Sequence, residues 1–183
     1  MKKLLAIAAA MLAVVFLLAP GTLWAGIVDL VTFQSAVDAA QAVDPTLTPP
    51  PNDGAHDFAV GGFERANGFH TGFSAHSEPL GENPFGHLSS TLDPGVAQQR
   101  YDVTCLAVAG NHASMGLVPT SAGSNDATNE TVLVVVDGGL PGGTGDLYGF
   151  VVGGRANDCA TFVLATPPFT PLSGNILVHD ELP

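Results

Sequence analysis

Short apolar runs separated by clusters of Gly, Pro, Asn and Asp make up the chain from Asp57 to its end. No helical periodicity lies between these runs, which favours antiparallel hairpins over parallel β-α-β units. The pattern therefore predicts an all-β fold, an antiparallel β-sandwich or a small β-barrel. The predicted strands are 57–65, 69–76, 86–92, 99–108, 112–118, 130–137, 146–153, 159–164 and 174–179.

Two of these runs predict where their strands lie. In 69–76 the odd-numbered residues are apolar or Thr and share one face, while histidines begin and end the other face. The run "VLVVV", residues 132–136, is apolar on both faces. It therefore predicts a central strand with neighbours on both sides.

The N-terminus has a different pattern, with a charged start, an apolar run from Leu4 to Ala19 and the breakers Pro20 and Gly21. This order is typical of a secretory signal peptide, with cleavage expected after Ala25. The apolar run is shorter than the roughly 20 residues that a membrane span needs. We expect the mature protein to be soluble, away from the membrane, and secreted or periplasmic.

Residues 26–56 predict a short helix over 32–43 followed by a linker. The linker sequence "DPTLTPPPNDG" has four prolines in eleven residues and cannot continue a helix. We expect this part to be loosely attached. The predicted organisation is a signal peptide (1–25), a short helix with a Pro-rich linker (26–56) and an all-β domain (57–183).

The charge balance excludes some functions. The predicted mature chain has three arginines, no lysine and seventeen acidic residues, a formal charge of −14. Such a surface repels phosphate backbones and anionic lipids, so we expect no nucleic-acid partner and no membrane binding after cleavage. Without lysine there is no Schiff-base chemistry.

Two cysteines, Cys105 and Cys159, remain in an exported chain, and an even number of cysteines in that setting favours a disulfide. The alternative is two unpaired buried thiols. A bond across so long a loop would stabilise the fold by about 3–5 kcal/mol if it is unstrained.

The stretch "YDVTCLAVAGNHA" raises the question of a Cys/His catalytic pair. Gly110-Asn111 predicts a two-residue hairpin turn, which places Ala109 opposite His112 and Cys105 opposite Gly116. Cys105 is then about 13 Å along the strand from the position opposite His112, too far for a nucleophile and its base. We expect Cys105 to share a core-facing stripe with Tyr101 and Val103.

A metal site is the most specific chemistry that the sequence offers. His76 and His87 flank the connection "SEPLGENPFG", and pairing of strands 69–76 and 86–92 would bring them together near Glu78 and Glu82. Imidazole and carboxylate suit zinc or copper, and carboxylates suit calcium. The alternative is two surface histidines at a hairpin end, with no cofactor.

Motifs for serine hydrolases, P-loops and dinucleotide binding are absent from the sequence. The paired carboxylates of a glycosidase are defined by a distance in space, so an extracellular glycan hydrolase stays an alternative. In "DGGLPGGTGD", Asp137 and Asp146 flank glycines without the spacing of a calcium loop, which favours a hairpin turn.

Four ordered blocks, "FSAHSEPLGENPFGHLS", "VTCLAVAGNHA", "VVVDGGLPGGTGD" and "SGNILVHD", resemble a group of small exported bacterial β-domains of unknown function. The resemblance covers most of 57–180 and implies an all-β extracellular domain without implying an activity. Our leading hypothesis is a secreted, non-enzymatic interaction or structural module with an unknown protein or glycan ligand. Metal binding and glycan hydrolysis are the alternatives.

Overall fold

The computed structural model describes residues 22–53, 56–95, 99–120, 131–139, 145–153 and 156–181, with side chains from residue 31 onward. Most of the predicted signal peptide lies outside these residues. The chain divides into two units, Met1–Phe33 and Gln34–Pro183. The elements are α1 (Thr22–Val43), β1 (Asp57–Glu64), β2 (His70–Ser77), β3 (Phe85–Thr91), β4 (Gln99–Ala109), β5 (His112–Pro119), β6 (Thr131–Val136), β7 (Leu147–Val152), α2 (Cys159–Phe162) and β8 (Ser173–His179).

The eight strands form one curled antiparallel sheet in the order β7-β6-β5-β4-β3-β2-β1-β8, which confirms the all-β prediction. Strands β1 to β7 follow one another as neighbours, and β8 returns to pair with β1. As predicted, β6 has neighbours on both sides and Val132–Val136 are buried. Within the described residues, no helix combines the length and apolar character needed to cross a membrane.

The predicted strand 159–164 is wrong, because Cys159–Phe162 forms the short helix α2. Periodicity alone does not separate a short apolar strand from a helical turn of the same length. The free edge of β7 is not available to this segment, since Tyr148 pairs there with Phe169. The chain instead turns helical beside Cys159, which the disulfide holds.

The core lies on the inner face of the sheet. Alternate residues of every strand point to this face, so side chains from distant parts of the sequence meet there. Its members are Ala59, Phe63, Phe73, Ala75, Leu88, Val103, Leu106, Ala113, Met115, Leu117, Leu133, Val135, Tyr148, Ile176 and Val178.

The C-terminal half of α1 packs on the outer face of β1 and β2. Gly62 and Gly72 are cross-strand neighbours, and a Cβ atom at either would overlap the helix backbone at Ala39 or Ala40. The missing side chains let the helix lie directly on the sheet. The expectation of loose attachment is therefore wrong for residues 36–47, although the helix ends at Val43 as predicted.

A bulge in β4 changes the direction of Cys105. Val103 pairs with Leu117 and Cys105 with Gly116, so Thr104 is an extra residue of β4 that has no residue opposite it on β5. Val103 faces the core as predicted, but Cys105 points to the outer face, which corrects the predicted stripe. There it forms a disulfide with Cys159, with their Cα atoms 6.1 Å apart.

Two aspartates next to the β6–β7 connection bind the outer edge of β8. The N–H of Ile176 donates to Asp146 (2.9 Å) and the N–H of Val178 to Asp137 (3.2 Å). Asp146 also accepts from the N–H of Gly138, and Asp137 from that of Gly139. We call these four hydrogen bonds the edge clasp. The two from Ile176 and Val178 join the two ends of the sheet, and the two from Gly138 and Gly139 hold the carboxylates in place.

Candidate ligand-binding site

The predicted His76–His87 site is only partly assembled. Strands β2 and β3 do pair, but His76 is opposite Phe85 and His87 is opposite Ser74. The Phe85 ring lies between the two imidazoles, with its centroid 5.4 Å from each. The two histidines therefore share a face without sharing a position for one ion.

The two predicted glutamate ligands have partners in the β2–β3 turn. Glu78 accepts a hydrogen bond from the Asn83 amide (2.8 Å), and Glu82 accepts one from the Leu80 N–H (3.2 Å). Among the described residues no group of three or more His, Cys, Asp or Glu side chains converges as metal ligands would. Metal binding stays a prediction, and elemental analysis of protein purified without chelator would test it.

One cavity, about 250 Å³, lies on the outer face between the end of α1 and strands β3 and β4. Its centre is Asp44, which accepts hydrogen bonds from the hydroxyls of Ser89 and Thr46 and from the Thr46 N–H. Arg100 Nε is 3.5 Å from the Asp44 carboxylate. We call this set the helix clasp.

The electrostatics of Asp44 favour its ionised form. Burial acts to raise the pKa of this carboxyl, but the hydrogen bonds from Ser89 and Thr46 and the charge of Arg100 outweigh it, and the pKa lies below its usual value. His87 and Asp102 form a pair at the rim (2.9 Å). Ser89 is buried and donates its proton to Asp44 rather than to His87, so these residues do not form a serine-hydrolase triad.

Another cavity, about 240 Å³, is mostly aromatic and lies at one end of the sheet. We call it the aromatic recess. The β1–β2 turn forms one side, and β7 with the segment before β8 forms the other. Its lining consists of Arg65, Ala66, Asn67, Tyr148, Phe150 and Phe169.

The β1–β2 turn fixes Arg65. The Arg65 N–H donates to the Phe69 carbonyl (2.8 Å), and Gly68 takes a positive φ of 82° that closes the turn. The guanidinium stacks on two aromatic rings, 5.0 Å from the centroid of Phe69 and 5.2 Å from that of Phe150.

Among the described residues, Arg65 has polar neighbours but no acidic one. Its Nη2 donates to the Ser90 hydroxyl (2.6 Å), and its buried Nε finds no hydrogen-bond partner in the same part of the chain. No carboxylate of the described residues lies within 4.0 Å of the guanidinium. Burial lowers the pKa of Arg65, while Tyr148 and Tyr101 act in the opposite direction. A guanidinium nevertheless keeps its charge at neutral pH.

Main-chain hydrogen bonds hold Tyr148 and Phe169 together on the opposite side of the recess. Tyr148 and Phe169 exchange two main-chain hydrogen bonds (2.8 and 3.2 Å), and their rings are 5.6 Å apart. Gly149 lets Pro167 and Pro168 approach β7 closely. Tyr148 is buried, stacking on Phe63, whereas Phe169 is 54% exposed. The recess therefore has a buried aromatic floor at Tyr148 and an aromatic wall at Phe169 that is open to solvent.

The recess is not visible in the sequence, because its lining residues come from three separate segments: 65–67, 148–150 and 169. In the sequence, Arg65 is simply one of few basic residues. The only local signal was an arginine at the end of an apolar strand with aromatic residues nearby, which by itself is common.

Comparison with models of known families, with curated proteins and with solved structures finds no match for this chain. The resemblance to small exported bacterial β-domains therefore stays a prediction.

Proposed function

We propose that this protein is an exported, non-enzymatic β-domain that binds an extracellular partner by taking an apolar group of that partner into the aromatic recess. The observation that carries the proposal is the recess itself, about 240 Å³ of mainly aromatic surface at the sheet end. Pockets of this kind, apolar with few polar groups, are typical of ligand sites and of the mouths of β-barrels. In this proposal, binding needs neither a metal nor an organic cofactor.

The finer fold assignment belongs to the same proposal. We interpret the curled sheet as a small barrel rather than a sandwich, with the recess at its mouth. The edge clasp supports this interpretation, because it joins β8 to the residues that flank the β6–β7 connection.

Export is supported by the Cys105–Cys159 disulfide, which is compatible with an oxidising compartment, and by the predicted signal peptide. A role in binding rather than turnover is supported by the chemistry of the lining. Its described residues offer one cation, one amide and one phenol, but no carboxylate, imidazole or thiol. General acid–base catalysis usually relies on such groups.

A fluorescent neutral aromatic probe, N-phenyl-1-naphthylamine, tests this proposal. We expect saturable binding to the full mature protein, weakened about tenfold by Phe169→Ser, since an aromatic contact and its burial are lost. Phe85→Ser is the matched control, because Phe85 is 52% exposed and Phe169 is 54% exposed. The control should leave the affinity unchanged.

Absence of saturable binding would contradict the proposal. So would equal effects of the two substitutions, which would indicate nonspecific adsorption to exposed phenylalanine. Thermal unfolding of both variants would show that neither substitution acts by unfolding the protein.

A further inference from the structure

We propose that the ligand of the aromatic recess carries a single carboxylate on an aromatic or other apolar body, with Arg65 as the group that binds the carboxylate. This inference rests on the proposed function and specifies the class of ligand.

The first argument is the missing counterion. The mature chain has many more acids than arginines, so an acidic partner for Arg65 would be easy to supply. The nearest acid in sequence, Glu64, instead accepts a hydrogen bond from Ser173 (3.2 Å). Arg100, by comparison, faces Asp44 at 3.5 Å. Arg65 is thus a partly desolvated cation with no described carboxylate beside it. A carboxylate on the ligand would supply the missing counterion.

The second argument is preorganisation. Phe69 and Phe150 both stack on the guanidinium, and Ser90 accepts from Nη2, so the planar group is held before any ligand arrives. A fixed guanidinium plane suits a planar carboxylate, which it can bind with two parallel hydrogen bonds. Little side-chain entropy then remains to be lost on binding.

The third argument selects a monoanion. Among the described residues that line the recess, Arg65 is the only cation, and it lies in a strongly acidic protein. A dianionic phosphate would meet twice the repulsion from the surrounding field with only one compensating charge. A cationic ligand would be repelled by Arg65. The remaining lining, Tyr148, Phe150 and Phe169, suits a flat or chain-like apolar body.

The experiment compares 4-phenylbutyrate with its neutral analogue 4-phenylbutanamide by calorimetric titration of the full mature protein. We expect the acid to bind at least about tenfold more tightly than the amide, as for a charge-assisted hydrogen-bonded pair. Arg65→Met should abolish this preference. Arg100→Met, which removes the same charge from the outer face, should retain it.

Arg65→Lys adds a graded test, because it keeps the charge but loses the planar fork. We expect it to retain only part of the preference for the acid. Arg65→Lys also keeps the inference testable if Arg65→Met does not fold. Thermal unfolding of Arg65→Met, and its binding of N-phenyl-1-naphthylamine, would show whether that variant folds.

Equal affinities for acid and amide, or a preference that survives Arg65→Met, would overturn the inference. Tighter binding of 3-phenylpropylphosphonate than of the carboxylate would also overturn it. In each case, retained binding of the neutral probe would leave the proposed function standing. If neither the neutral probe nor the acid binds, both proposals fail.

Discussion

The helix clasp and the edge clasp both rest on a buried aspartate, but the donors differ. Asp44 accepts from two side-chain hydroxyls and one N–H and faces Arg100. Asp146 accepts only from backbone N–H groups and lies beside a second carboxylate, Asp137. One clasp contains a compensating positive charge, whereas the other places two acids together.

This difference moves the two pKa values in opposite directions. The pKa of Asp44 lies below its usual value, as described above. Burial raises the pKa of Asp146, and the neighbouring Asp137 raises it further, against the lowering effect of the N–H groups of Gly138 and Ile176. Burial is thus the largest influence on both groups, and their partners decide the outcome.

The opposite shifts have opposite consequences for stability. Ionised Asp44 stabilises the fold above its unfolded-state pKa, and this contribution is lost as pH falls through the lowered folded-state pKa. Asp146 binds its proton more tightly in the folded state, so its contribution increases as pH falls through the raised pKa toward the usual value of 3.8. Burial of a carboxylate therefore does not by itself predict acid sensitivity.

The largest effect should come from breaking the edge clasp with Asp146→Ala. It leaves the buried N–H of Ile176 without an acceptor, and we expect a loss of about 2–3 kcal/mol in the free energy of unfolding. Urea denaturation would measure it, with the exposed Asp158→Ala as the control. A loss no larger than that of the control would mean that the clasp does not hold β8.

Breaking the helix clasp with Asp44→Ala should cost less, about 1–2 kcal/mol, because Thr46 is exposed and its groups can turn to water. The buried Ser89 hydroxyl alone loses its acceptor. Asp38→Ala is the matched control, since Asp38 accepts from Gln34 on the exposed side of α1. An equal cost for the Asp44 and Asp38 substitutions would contradict the role of the clasp.

The losses caused by Asp146→Ala and Asp44→Ala should also differ in their pH dependence. As pH falls from neutral toward the usual aspartate pKa of 3.8, the loss caused by Asp146→Ala should grow, while that caused by Asp44→Ala stays constant. Below about pH 4 the Asp44→Ala loss should shrink as wild-type Asp44 becomes protonated. Urea titrations of both variants across this range would measure the effect. Parallel curves would show that the two carboxyls have similar pKa values.

The smallest effect should come from Arg100→Met, with a loss of about 0.5 kcal/mol or less that decreases with salt. The Arg100 side chain is 52% exposed and its ion pair is long, so solvent screens most of the attraction. Thermal unfolding at low and high salt would measure it. A loss comparable with that of Asp44→Ala would mean that the helix clasp stabilises the fold mainly through the charge of Arg100 rather than through the hydroxyls of Ser89 and Thr46.

Local sequence rules predicted the parts of the fold that depend on neighbours along the chain. The Gly110-Asn111 turn gave the β4–β5 register correctly, from Ala109–His112 to Cys105–Gly116. The Cys105–Cys159 disulfide was also predicted, and the β2–β3 pairing that the His76–His87 hypothesis required is present. These features follow from turn chemistry, alternation and an even cysteine count, all of which are visible in short stretches of sequence.

Local sequence rules could not predict three other features: the recess, the bulge at Thr104 and the short helix at Cys159. The recess needs Arg65, Tyr148 and Phe169 to meet, and only curling of the sheet brings β1 and β7 together. The bulge moves Cys105 to the other face of the sheet, and no turn residue in the neighbouring sequence predicts it.

Eight of the nine predicted strands, the β4–β5 hairpin register and the acidic character of the chain could thus be predicted from local sequence and composition, because local conformational preferences fix them. The partners of the charged side chains Asp44, Asp146 and Arg65, by contrast, depend on how the chain folds in three dimensions. Asp44, Asp146 and Arg65 are unremarkable in sequence, and their properties arise from donors and rings supplied by distant segments. Curling the sheet and docking α1 set those distances, and electrostatic energies depend on distance and burial rather than on sequence order.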